Sequence, residues 1–170
     1  VRDAISDIQD IEPGKEVTDS YFTLPPHPEA QGLEKELRGR CLHNHITTAT
    51  RETALSRFKA LKAGENFHDL SPELKTTYSN AERTQNTIYM RLKYDEPSGT
   101  VVNVRKSMWI HPELDRAISI REAARLQTFP DSFIFEGTKD SQYQQVGNAV
   151  PPFLAKAVAE SIISILDQVQ

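Results

Sequence analysis

Between residues 153 and 167 the apolar side chains Leu154, Val158, Ile162, Ile165 and Leu166 fall on one helical face, with Lys156, Glu160 and Asp167 off it. So complete a stripe marks a helix with one face built for burial. No upstream segment reads as a central sheet, so the surface that covers this helix is expected upstream of Val1. The chain runs into the helix through Gln145–Val146–Gly147–Asn148–Ala149–Val150–Pro151–Pro152. Gly147 permits a backbone turn closed to other residues, while Pro151 and Pro152 end an extended run and suit a first helical turn. Asn148 can hydrogen-bond a polar ligand through its amide and its backbone, and the helix N-terminus beyond it offers unpaired N–H groups to a carboxylate. These residue types allow two readings, a small-molecule site or a helix start with no ligand.

The rest of the chain must be read against a modest size. At 170 residues it suits one domain, or a small domain plus a piece of another, and 38% hydrophobic with 26% charged residues is a soluble, globular composition. No apolar run is long enough to span a membrane and no signal pattern opens the chain. The single cysteine, Cys41, allows no internal disulfide and fits a reducing cytoplasm. The chain opens on Val1, so a piece of a longer protein is expected. The formal net charge of −4 argues against a nucleic-acid coat protein, yet the charge is uneven. Counting Lys and Arg against Asp and Glu, residues 1–30 carry 2 against 7, residues 31–110 carry 13 against 9, and residues 111–170 carry 5 against 8. The basic middle suits a DNA-facing surface and equally an ordinary solvated one.

In chain order, Val1, Ala4, Ile5 and Ile8 make a short helical stripe, and residues 12–30, with five prolines and glycines among acidic residues, form a connector that cannot continue a helix. Ala54, Leu55, Phe58 and Leu61 predict a helix over 48–62, with Gly64 where a C-cap would stand. Residues 65–86 are polar, with a turn at Ser71–Pro72. Ile88, Met90, Leu92 and Tyr94 alternate with Tyr89, Arg91 and Lys93, and Pro97–Ser98–Gly99 separates them from the β-branched run 100–104, which predicts a hairpin with a basic rim. Ser119 and Glu122 form a capping box for a helix over 120–128.

Two blocks carry a family resemblance. Gln145–Pro152 resembles the last conserved block of the DNA (cytosine-5)-methyltransferases, and Arg121–Glu122–Ala123–Ala124–Arg125–Leu126–Gln127–Thr128–Phe129–Pro130–Asp131 resembles the block before it. The opening Val1–Ile8 is similar to the phrase that leads from that family's catalytic core into its recognition domain, and Asp95–Val101 is similar to its Asp-x-Pro-x-x-Thr-hydrophobic phrase. The resemblance implies that the last block lines the S-adenosylmethionine pocket, giving Asn148, Ala149 and Val150 as cofactor contacts. Ala149 stands where some relatives have Ser, so a backbone N–H must replace any hydroxyl contact. It implies that Arg121, Arg125 and Gly147 brace the structure, and that Thr100 and Val101 lie near the backbone of a cytosine flipped from double-stranded DNA. Arg91, Lys93, Arg105 and Lys106, near the expected hairpin, are the further DNA candidates, with a solvated rim as the other reading.

The reaction that the resemblance implies needs a cysteine thiolate to attack carbon 6 of the cytosine. The family's Phe-x-Gly-x-Gly loop, Pro-Cys nucleophile, Glu-Asn-Val carboxylate and Gln-x-Arg-x-Arg block are not in this sequence, so no catalytic residue is assigned. Cys41 follows Arg40, not Pro. Glu65–Asn66–Phe67 follows a glycine and reads as a solvated loop. Cys41, His43 and His45 alternate as strand-borne ligands would, but no fourth ligand stands at a suitable spacing, and no metal is assigned. His111 beside Pro112 reads as a turn residue and Trp109 as core, with a DNA contact as its other reading.

The expected fold class is therefore α+β: a connector over 1–20, a small mixed target-recognition domain over 21–117, and a returning segment over 118–170 that completes a Rossmann-like, cofactor-binding domain lying upstream. Its partners would be double-stranded DNA and the missing N-terminal catalytic domain, in cis or in trans, in the bacterial cytoplasm or nucleoid, in a restriction-modification setting. A natural split enzyme and a non-catalytic DNA-binding module are the alternatives.

Overall fold

The computed structural model describes residues 1–19, 21–102 and 104–168. Helix α1 (Arg2–Ile5) is followed by strand β1 (Phe22–Thr23), α2 (Gly32–Leu37), β2 (Cys41–Leu42), α3 (Glu52–Ala60), α4 (Pro72–Lys75), α5 (Val104–Ser107), α6 (Ile120–Leu126), α7 (Lys139–Asn148) and α8 (Pro152–Asp167). β1 and β2 pair antiparallel, Phe22 opposite Leu42 and Thr23 opposite Cys41. The class is mixed, but helices and hydrogen-bonded loops carry most of it.

The N-terminal stripe folds as expected, burying Ala4 and Ile5 against Leu37 and Tyr94. α3 buries Ala54 and Phe58, with Leu61 just beyond its end, into a second cluster with Phe67, Leu70, Tyr89 and Ile110. Gly64 takes φ +87 three residues past the α3 cap, where a Cβ would meet the Lys93 side chain. The main core draws on Ile46, Leu92, Val101, Val104, Trp109, Ile118, Ile120, Phe129, Tyr143 and Val146. One core thus runs across the 117/118 boundary, and α1, packed on α2 and α6, joins the same body.

The hairpin expected over 88–104 does not form. Tyr89 adopts φ +53, which breaks the extended run, and its ring packs among Phe58 and Phe67. The extended piece that follows finds other partners: Arg91 exchanges backbone bonds with Gly64 and Glu65 at 2.8 and 2.9 Å, and Ile110 bonds Met90 and Leu92 at 2.8 and 3.1 Å. Val101 and Val104, three apart, enter the core together and α5 begins at Val104. Asn103, inside the expected second strand, lies outside the described residues.

Gly147 also differs from expectation. It lies inside α7, because Gln142, Tyr143 and Val146 bury one face of a helix that continues to Asn148. The chain turns instead at Ala149, which is extended (φ −78, ψ 153), and Pro152 opens α8. Not one described residue of α8 is buried, and Leu154, Val158, Ile162, Ile165 and Leu166 are all more than half exposed. The composition of this region is apolar enough for a membrane span. The uninterrupted helix is 16 residues, about 24 Å at 1.5 Å per residue, short of the roughly 30 Å of a bilayer core.

Candidate functional site

The site is assembled on α6. Ser119 Oγ accepts from Glu122 N at 3.0 Å and Glu122 Oε2 accepts from Ser119 N at 2.6 Å, the capping box that the sequence predicts. That box fixes the start of a helix whose two arginines turn inward. Arg121 donates to the His43, Pro130 and Phe133 carbonyls and to Asn44 Oδ1 at 2.5–3.2 Å. Burial pulls its guanidinium down to about 10, against the opposing pull of Asp131. Arg125 forks onto Asp131 at 2.8 and 2.6 Å, reaches Asp7, and donates to the Ala4 carbonyl at 3.1 Å. Burial lowers its pKa, but Asp131 and Asp7 outweigh burial and raise it. Asp7 also takes Arg38, and Asp131 Oδ2 accepts from Gly39 N at 3.0 Å. One buried ion network therefore ties the first eight residues, the end of α2 and α6 together.

A second buried cluster surrounds Glu122. Arg116 forks onto its carboxylate with two bonds of 2.7 Å, and His111 Nε2 lies 3.9 Å away. His45 Nδ1 meets Ser119 Oγ at 2.9 Å while its Nε2 meets the Ile11 carbonyl at 2.9 Å. Burial alone would raise Glu122, but Arg116, His45 and His111 hold it down at about 2. Burial, aided by Arg116 and Arg91, pulls His111 down to about 4 from 6.5, and burial also lowers His45. The unfolded chain binds a proton at His111 that the folded chain refuses between pH 4 and 6.5. Stability from this group is thus complete above pH 6.5 and is lost as the pH falls towards 4, on the order of 3 kcal/mol. Glu122, with its folded value depressed, loses its own contribution as the pH falls from 4.5 towards 2. Urea unfolding at pH 7.5 and 4.5 is expected to show the first loss, and His111→Asn to remove much of it; a flat profile would refute it.

The expected cofactor turn is exposed. Asn148 closes α7, with its Oδ1 accepting from Gln144 Nε2 at 3.0 Å. Ala149 is half-buried, and Val150 is 63% exposed. One helix-start N–H is already taken, since Phe153 N donates to Thr128 Oγ1 at 3.1 Å. Upstream of the turn, Gln127 Nε2 donates to the Val146 carbonyl. Gln127 and Thr128 lie inside the second conserved block, but residue type alone gave them no role; their partners are 19 and 25 residues away.

Of the expected DNA contacts, two face inward. Arg91 is 4% exposed and donates to the Phe58, His111 and Leu114 carbonyls and to Asp115. Alternation places it on a rim; without the hairpin its guanidinium ties the Phe58 carbonyl in the last turn of α3 to the loop carbonyls of His111 and Leu114. Val101 packs in the main core. Lys93, Thr100, Arg105 and Lys106 lie on the surface, Lys93 paired with Glu96 at 2.8 Å and Arg105 with Asp140. Elsewhere, Cys41 Sγ lies 3.2 Å from Tyr21 Oη, His43 sits edge-on to Tyr21, and Asn66 caps a 3-10 turn over Phe67–Asp69.

The family model of C-5 cytosine-specific DNA methylases matches residues 4–164. Type II methyltransferase M.DdeI of Desulfomicrobium norvegicum is 36% identical over 95% of this chain and 42% of its own length. DNA (cytosine-5)-methyltransferase 4 of Arabidopsis thaliana is 33% identical over 95% of the chain and 12% of its length. The chain thus spans less than half the length of these relatives. Type II methyltransferase M.AquIB of Picosynechococcus is 37% identical over 75% of this chain and 94% of its own length. A crystal structure of an Escherichia coli prophage protein assigned to DNA modification superposes with a TM-score of 0.73 at 24% identity, covering 98% of this chain and 47% of that one, and so shares the fold. The match over residues 4–164, almost all of the chain, places it in the C-5 cytosine-specific DNA methylase family.

Proposed function

We propose that this chain is the target-recognition part and returning C-terminal segment of a DNA cytosine-5 methyltransferase, and that it is inactive without the polypeptide carrying the nucleophilic cysteine. The observation that carries this reading is α8, a 16-residue helix with its apolar stripe wholly exposed, directly after the turn of the last conserved block. Such a stripe suits a domain-sized apolar partner. The turn fits a cofactor-lining role: Asn148 and Val150 are exposed and Ala149 is extended, although the Ala149 N–H donates back to the Val146 carbonyl at 3.3 Å and would have to exchange that bond to meet a ligand. S-adenosylmethionine would supply the electrophilic methyl group, and Asn148, Ala149 and Val150 would hold one side of it. Lys93, Thr100, Arg105 and Lys106 would contact the DNA, mainly at phosphates. Arg121 and Arg125 would brace both regions, and the main cofactor motifs would lie in the missing part.

Transfer of a labelled methyl group to unmethylated phage DNA tests this. The chain alone should give none, and the complete protein should give 5-methylcytosine; methylation by the chain alone would overturn the reading.

A second reading, a split enzyme with this chain as one subunit, is favoured by M.AquIB, a type II methyltransferase spanned over 94% of its length by a match to this chain. The mass of the native polypeptide decides between them. A value near 19.2 kDa supports two subunits, and one larger by a domain supports a single chain.

A further inference from the structure

Gln127 touches both places that the proposed function needs. It caps α6, is 5% exposed, and donates through Nε2 to the Val146 carbonyl, just before the turn, and to the Val101 carbonyl at 3.5 Å. Val101 directly follows exposed Thr100. A primary amide carries two N–H groups, so the two bonds do not compete. The next residue, Thr128, takes φ +63, an unfavourable conformation for a β-branched side chain, and accepts from Phe153 N. Two consecutive residues therefore grip the turn at both ends. Packing runs the same way: Val101 and Val146 share one core, and Arg105 of α5 pairs with Asp140 of α7.

We propose that Gln127 is a positioning residue that couples the DNA-facing strip at Thr100 to the cofactor-lining turn at Asn148–Val150, so that DNA and cofactor each tighten the binding of the other. The proposal rests on the function given above. Coupling of this kind is reciprocal, and a change of the Val101 carbonyl position on DNA binding would be felt at the Val146 carbonyl through the shared amide.

The test uses the complete protein, S-adenosylhomocysteine as a cofactor probe that cannot turn over, and a duplex bearing the sequence the protein methylates in phage DNA. If it methylates no cytosine, the functional reading fails and this proposal with it. Otherwise the duplex is expected to tighten S-adenosylhomocysteine binding about tenfold in the unmodified protein, and Gln127→Leu to reduce that ratio to within about twofold of one. A merely structural role would lower stability, or both affinities, and leave the ratio intact. An unchanged ratio in Gln127→Leu, or no coupling in the unmodified protein, overturns the proposal while methylation stands. Gln127→Glu, of the same shape but without amide protons, replaces the leucine variant if that one does not fold. Hydrogen exchange on the unmodified protein needs no variant: the duplex should slow exchange over 145–150, and no change there would overturn the coupling.

Discussion

Arg125→Met is expected to destabilise the chain by about 3–5 kcal/mol, the usual cost of removing one partner from a buried ion pair. Methionine matches the volume of the side chain, so little of that loss is a cavity. The cost is electrostatic, because the Asp131 carboxylate, at 0% exposure, would be left among the described residues with Gly39 N and a more distant Arg121 at 3.9 Å as partners. Asp7 would fare better, since Arg38 remains. The double variant Arg125→Met/Asp131→Asn should therefore recover a good part of the loss, having no orphaned carboxylate. In thermal unfolding the single variant is expected to melt lower by roughly 6–20 °C, at about 2–4 °C per kcal/mol for a chain of this size. A loss under about 1 kcal/mol would mean that water reaches the network and screens it.

The network shows why some of the fold is legible in the sequence and some is not. The Ser119–Glu122 box and the stripe from Leu154 to Leu166 are visible because their partners lie three or four residues away, within reach of any periodicity argument. The alternation at 88–94 is equally local, but says only that successive side chains differ in environment. It cannot name the strand's neighbour, which proved to be Gly64–Glu65 on one side and Ile110 on the other. Arg91 was misplaced for the same reason: its acceptors are 20 to 33 residues away, and nothing near it predicts that its charge is answered inside. Gly147 misled by residue type, since a glycine tolerates a helix when its neighbours Tyr143 and Val146 have a core to fill. The cluster of Glu122, Arg116, His111 and His45 was hidden altogether, because a capping box accounts locally for Glu122 and gives no sign of the two histidines that face it.

α8 yields the second large effect, and its sign depends on which protein is measured. In the chain alone, Val158→Asp with Ile162→Asp is expected to change stability by no more than about 1 kcal/mol, at about 0.5 kcal/mol for each exposed substitution. Both side chains are 52% exposed, and the helix start is tied to the body through Phe153 N and Thr128, well away from them. In the complete protein the same two residues would lie against the catalytic domain. Full burial of an exposed apolar side chain contributes about 1.5–3 kcal/mol, and these two are already about half covered, so losing both costs roughly 1.5–3 kcal/mol, or about one to two orders of magnitude in association. Burying two carboxylates without partners adds to that. Methyl transfer by the complete protein should fall by at least about tenfold on this estimate, while the melting temperature of the chain alone moves little. If instead the isolated chain melts early, α8 belongs to the chain's own core. If both measurements are unmoved, the stripe faces solvent in the complete protein and the missing domain docks elsewhere.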